Sequence, residues 1–274
     1  MSQVSAVNKK VDWQVLSQTA LTIRRDIIKM LGIAGSGHPG GSLSCTDILT
    51  LLYFHFLRHD PKNPKWPDRD RLIFSKGHGC PALYSALARS GYFDPKLLLT
   101  LRQLGSPLQG HPDMRRLPGI EASTGSLGQG LSVAIGCALA GRFDKKDFKS
   151  YALISDGELD EGQIWEATAF ASFHKLANLI TILDYNKYQL SGATKDILDM
   201  EPVAEKWRAF GWETARSTGT STKKFLTRSS GRWPRSRRRA SSSRTRLREK
   251  GCRSWRTTTT STGSPTRRTR RRGR

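Results

Sequence analysis

The sequence predicts an α/β domain on a mostly parallel sheet with helices on both faces. Three observations predict it. First, residues 150–192, SYALISDGELDEGQIWEATAFASFHKLANLITILDYNKYQLSG, read strand, turn, helix, strand, and that order makes a βαβ unit with two parallel strands. Second, short apolar runs alternate with helix-period segments along residues 11–213, the pattern of an α/β domain. Third, the charge separates into two regions. The 274-residue chain carries a formal +23, yet residues 215–274 hold 21 Lys and Arg against one acid, Glu249. Residues 1–214 keep 25 basic and 22 acidic residues, a net of +3. We therefore expect a nearly neutral domain over 1–214 and a basic, disordered Arg/Ser/Thr-rich tail over 215–274.

Residues 11–34 show helical periodicity through Val15, Ala20, Ile23, Ile27 and Leu31. A glycine-rich turn follows at 35–41. Ser44 is placed to cap a helix from Thr46 to Leu57, with Ile48, Leu51, Leu52 and Phe56 on its apolar face. A proline-rich loop leads to a strand, Arg71 to Phe74, and a helix follows from Pro81 to Ser90. The run TGSLGQG, 124–130, opens a small-residue helix from Leu131 to Ala140, suited to tight packing or a subunit contact. In the βαβ unit, strands from Tyr151 to Ile154 and Leu179 to Leu183 flank a helix from Gly162 to His174. A helix from Pro202 to Phe210 comes next, and a strand is expected from Gly211-Trp212-Glu213.

Four scattered cysteines lack metal-type spacing and fit a reduced, cytoplasmic protein. The N-terminal MSQVSAVNKK has no apolar core of a signal peptide. No run approaches the ~18 apolar residues a membrane helix needs, so no membrane partner is expected.

The polar clusters Asp156-Gly157 and Asp184-Tyr185-Asn186 fall at strand carboxyl ends, where open α/β sheets bind ligands. Asp156 and Asn186 each offer a hard oxygen, and Gly157 lets the backbone approach a phosphate. That chemistry suits Mg²⁺ or Ca²⁺ holding a diphosphate. Read singly, these are ordinary turn residues. Their spacing, with acidic Glu158, Asp160 and Glu161 behind, favours the site. His38, His78 and His111 each sit in a glycine- or proline-rich turn. Each alone reads as a hydrogen-bonded loop residue. Together they suit a substrate with many hydroxyls or a phosphate.

The order SGHPGG (36–41), SKGHG (75–79), GHP (110–112), TGSLGQG (124–130) and DYNKYQ (184–189) resembles transketolases over residues 12–213. The span from Asp156 to Asn186 resembles the thiamin-diphosphate signature, with Ser155 replacing its first glycine. The chain looks like the N-terminal subunit of a split transketolase. The resemblance implies thiamin diphosphate and Mg²⁺ or Ca²⁺ as cofactors. Asp156, Asn186 and the carbonyl of Tyr188 are then the metal ligands. His78, Gly125, Ser126, Leu127, Gly157 and Glu166 contact the cofactor or lie behind its diphosphate. His38 and His111 touch the sugar, and Glu161 lies near the subunit contact in a proton relay. The family also implies sugar phosphate substrates and a C-terminal partner chain, in an α₂β₂ assembly, carrying the glutamate that activates the cofactor. A related enzyme such as 1-deoxyxylulose-5-phosphate synthase is the alternative; the SGHPGG and GHP turns favour transketolase.

The tail has two further readings. As a basic segment it would bind nucleic acid through phosphates on an inactive transketolase-like fold. Read one base out of frame, Ser241–Trp255 permits the decoding VILAHTVKGEGVSFM and Arg256–Pro265 permits EDDHDFHGKP, which resemble the family's continuation. Lys223 onward permits EEVLDA. A frame change after Thr214 is therefore expected, with no nucleic-acid partner. An irregular 215–274 and an uncovered sheet edge should follow.

Overall fold

The computed structural model describes residues 12–218 and 223–228. The chain divides into two units, Met1–Trp233 and Pro234–Arg274, and all described residues belong to the first. The opening helix α1, Trp13–Ala34, starts at Asp12, whose carboxylate accepts from the amides of Gln14 and Val15. It stops at Gly35, which takes the left-handed conformation. The glycine-rich turn is shorter than the sequence suggests. It already becomes helical at α2, Pro39–Ser44, because proline at the first helical position has a preset φ and no donor to lose. Ser44 therefore does not cap the next helix. It ends α2, and Cys45 precedes α3, Thr46–Leu51, without a side-chain cap. The expected helix to Leu57 finishes as a wider π turn, Leu52–Phe56.

Strand β1, Arg71–Phe74, is followed by a 3₁₀ turn, Gly77–Gly79, and α4, Cys80–Arg89. Helix α5, Gln129–Phe143, runs longer than expected. Some of its small residues serve internal packing: a Cβ on Gly130 would sit 2.4 Å from the Ser75 side chain, whereas Ser132 and Gly136 are exposed. The βαβ unit forms as read, with β2 at Ser150–Ser155, α6 at Gly162–Phe173 and β3 at Leu179–Tyr185. A two-stranded hairpin, β4 (Tyr188–Gln189) and β5 (Gly192–Ala193), and a short α7, Thr194–Ile197, follow. Helix α8, Val203–Ala209, leads to β6, Glu213–Thr218, and β7 is Lys223–Arg228.

The main sheet has the order β1-β2-β3-β7-β6. Its first three strands are parallel, with Phe74 opposite Leu153 and Ser155 opposite Asp184. Strand β7 pairs antiparallel to β3 and to β6. This corrects two expectations. The β3 edge is covered, and 215–218 and 223–228 are strand, so the expected boundary at 214 falls inside β6. The remaining tail lies outside the described residues.

The parallel strands are buried on both faces and alternate between two cores. Leu72, Phe74, Tyr151, Leu153 and Ile182 face the layer of α1, α3 and α4. Ile73, Ala152, Ile154, Leu179 and Leu183 face α5, α6 and α8. Trp207 of α8 is 1% exposed and meets the Trp212 ring edge-on at 4.9 Å. Trp207→Ala should lower stability by about 3–5 kcal/mol, read as an earlier midpoint in urea unfolding.

Candidate active site

The carboxyl ends of β1, β2 and β3 open into one cavity of about 850 Å³. Ser44, Lys76 and His78 line it beside the β1 end, Asp156 and Gly157 beside the β2 end, and Asn186 and Tyr188 beyond β3. His38, Gly125 and Leu127 complete that part of the wall relevant to the expected site. Eight of the twelve expected residues thus share one space. His111 lies beside it, its ring against the Gly125 backbone. Ser126 is exposed on the same turn. Glu161 and Glu166 do not line this cavity. Glu161 is exposed at the start of α6. Glu166 lines a separate, shallower groove with α5 residues such as Ser132 and Gly136.

The turn after β1 lies close to the 124–128 turn. A Cβ on Gly77 would sit 2.6 Å from the Thr124 carbonyl oxygen, so a larger residue there would push the two segments apart. The Thr124 hydroxyl in turn donates to the Phe74 carbonyl at 2.8 Å. His78 lies near the His38 ring, with centroids 5.4 Å apart in an edge-to-face arrangement. Burial, then Lys76, His38 and His111, push the His78 pKa down to about 4. Its imidazole is therefore neutral near pH 7, with one nitrogen donating and one accepting. His111 is shifted in the same direction by partial burial, then by the Arg102 guanidinium and His38. The turns that carry His38, His78 and His111 thus meet on one side of the cavity.

Beneath them Lys76 and Asp184 form an ion pair at 2.8 Å, their side chains 1% and 0% exposed. The Ser44 hydroxyl donates to Asp184 at 2.5 Å and accepts from Lys76 at 3.3 Å. Burial pulls the Lys76 pKa down, but Asp184 more than reverses this, leaving it raised. The other oxygen of Asp184, Oδ1, has no hydrogen-bond partner among the described residues.

Asp156 is 3% exposed. Its oxygens accept from the amides of Lys187 at 2.5 Å and Gly157 at 3.1 Å. Burial pushes its pKa up to about 6, with the nearby Asp184 charge adding to the rise and the two amides and Lys76 opposing it. Asn186 accepts from the Tyr188 amide at 2.7 Å, folding the chain back over Asp156. The oxygen donors fit a hard divalent cation. Two buried carboxylates facing one ammonium leave negative charge that such a cation would offset. No cluster of three His, Cys, Asp or Glu side chains suited to a metal occurs among the described residues; the expected donor set mixes a carboxylate, an amide oxygen and a backbone carbonyl, which that pattern does not cover.

Lys76, Ser44, Arg102 and buried Glu158 are not evident as site residues from sequence, and the ion pair that Asp184 makes there is not evident either. A lysine directly after a buried strand is the available signal for the first. Glu158 reads as one of several acids on a polar turn. It is 0% exposed and accepts from Ser75, Gly128 and Ser155. Burial raises its pKa while these donors pull it back.

As pH falls, the unfolded chain protonates at position 78 near 6.5, before the folded chain does near 4. Stability from this group is therefore fully present above about 6.5 and declines as pH drops through about 4. An NMR titration of the His78 ring should give a midpoint near 4. Lys76→Met should move that midpoint upward. By leaving Asp184 unpaired, it should also destabilise the fold by about 3–5 kcal/mol in urea unfolding.

A family model described as "Transketolase, thiamine diphosphate binding domain" matches residues 15–237. The 6-deoxy-6-sulfo-D-fructose transketolase subunit SqwG of Clostridium sp. (strain MSTE9) is 50% identical over 211 residues, which cover 77% of each chain. An apulose-4-phosphate transketolase subunit of Phocaeicola vulgatus is 43% identical over 196 residues, 72% of this chain and 69% of that one. Among solved structures, the transketolase of Campylobacter jejuni aligns with a TM-score of 0.69 at 40% identity. That alignment covers 73% of this chain and 33% of the other, so the chain spans about a third of such a transketolase.

Proposed function

The chain belongs to the transketolase family through its thiamine diphosphate binding domain, and from this premise we propose that it is the N-terminal subunit of a split transketolase. With a C-terminal partner it transfers a two-carbon ketol unit from a ketose phosphate to an aldose phosphate. The observation that carries this reading is the convergence of His38, Lys76, His78, Asp156 and Asn186 on one cavity at the ends of three parallel strands. The Clostridium and Phocaeicola relatives, each named as a transketolase subunit, support the division into two chains.

Thiamin diphosphate, when bound, supplies the electron sink for cleavage of the ketose between C2 and C3. Asp156, Asn186 and the carbonyl of Tyr188 would hold Mg²⁺ or Ca²⁺ against its diphosphate. Gly157 and the turn at Gly125, Ser126 and Leu127 would approach the phosphates through backbone. The Lys76 ammonium adds positive potential to that end of the cavity. His78, neutral near pH 7, can orient the cofactor by a hydrogen bond without repelling the metal. His38 and His111 would hold the sugar oxygens and move protons to and from them. Arg102, whose guanidinium donates to Ser36 at 3.2 Å, brings a fixed charge to the same side; that suits an anionic sugar. Glu161, exposed at the start of α6, would lie near the partner contact in a proton relay; Glu166, which lines the separate groove beside α5, would reach the diphosphate region only through that relay.

The glutamate that activates the cofactor in this family would come from the partner. The purified chain should show no ketol transfer alone and should gain it when a transketolase C-terminal chain is added; unaided turnover would sink the proposal. Asp156→Ala should abolish Mg²⁺-dependent thiamin diphosphate binding in calorimetric titration.

We also propose that the basic tail arises from a frame change after Thr214. Sequencing the gene across that codon should reveal a one-base insertion or deletion. An intact frame would restore the tail as a basic extension.

A further inference from the structure

The carboxylate of Glu158 is 0% exposed and does not line the cavity. It nevertheless joins three segments that do. At the β2 end, the Ser155 amide donates to Oε2 at 2.8 Å and the Ser155 hydroxyl at 3.2 Å. Before α5, the Gly128 amide donates to Oε1 at 3.0 Å. At the β1 end, the Ser75 hydroxyl donates to Oε1 and accepts from the Gly130 amide at 3.2 Å. The neighbours of these donors, Lys76, Leu127 and Asp156, form part of the cavity wall. Four donors from three loops meet one side chain that does not itself line the cavity.

We propose that Glu158 is a positioning residue that fixes the relative placement of the β1, β2 and pre-α5 loops and thereby sets affinity for the cofactor's diphosphate. This rests on the reading that the cavity holds thiamin diphosphate. A carboxylate suits the task because all its lone pairs accept, and all four facing groups donate. Glutamine has nearly the same volume but turns an NH₂ toward one set of donors. Glu158→Gln should release one loop while filling the same space.

The test is calorimetric titration of the full chain with thiamin diphosphate and Mg²⁺, alongside thermal unfolding of the apoprotein. Glu158→Gln should raise Kd roughly tenfold or more at a temperature where circular dichroism shows it folded, the scale of one lost hydrogen bond to a charged group. The Gly128 or Ser155 amide should also exchange faster with solvent. A role in stability alone would lower Tm and leave Kd of the folded protein unchanged, and that result overturns the proposal. Ser75→Ala removes one donor and keeps the carboxylate; it should weaken binding by a smaller factor of about three. If Glu158→Gln does not fold, this milder variant decides, and an unchanged Kd overturns the proposal. A wild-type chain that binds no thiamin diphosphate, alone or with a transketolase C-terminal chain added, overturns the underlying reading and the positioning role with it.

Discussion

The buried pair of Lys76 and Asp184 ties the far ends of the parallel strands together. Lys76 follows β1 and Asp184 lies within β3, opposite Ser155 of β2. Two ions removed from water repay their desolvation only with good geometry and further hydrogen bonds. Ser44 supplies such bonds from α2, so the pair also fixes that helix against the sheet. The consequence reaches beyond stability. A permanent ammonium at the cavity floor opposes protonation of His78 and favours ionised Asp156. The same charge thus prepares a neutral imidazole and an anionic oxygen donor within one space.

Much of this was legible in the sequence because it depends on local rules. Alternating apolar and helical-period segments gave β1, α4, the βαβ unit and α8 nearly in place. Polar turns after apolar strands indicated where Asp156 and Asn186 would lie, since strand direction determines which ends face one another. The three histidine turns lie together because each follows or precedes an element with a defined direction. Glycine at position 77 then permits the close approach to Thr124.

What escaped depends on partners distant in sequence. Glu158 and Asp160 are two residues apart on one acidic turn, yet only Glu158 is fully buried. The difference comes from Ser75 and Gly128, dozens of residues away. The strand β7 escaped for a related reason. KKFLTR has few of the apolar residues that usually signal a strand, but the exposed edge of β3 offers unpaired backbone groups that almost any extended segment can satisfy. Pairing there is a backbone matter, which side-chain periodicity does not report.

The cavity also has a lopsided chemistry. Its floor gathers Lys76, Asp156, Asn186 and His78, all polar, with Lys76 held by a buried ion pair. At its rim Leu190 is 91% exposed and Tyr188 68%. The ketol transfer proposed for this site would need water kept away from the reacting atoms, and a floor that binds charge cannot do this from one side. The exposed Leu190 and Tyr188 at this rim support the proposal of a surface completed by another chain. The half built here is the half that electrostatics can prepare in advance: a fixed cation, a neutral imidazole and a poised carboxylate. Under the proposed split, the exclusion of water and the activation of the cofactor would fall to the partner chain.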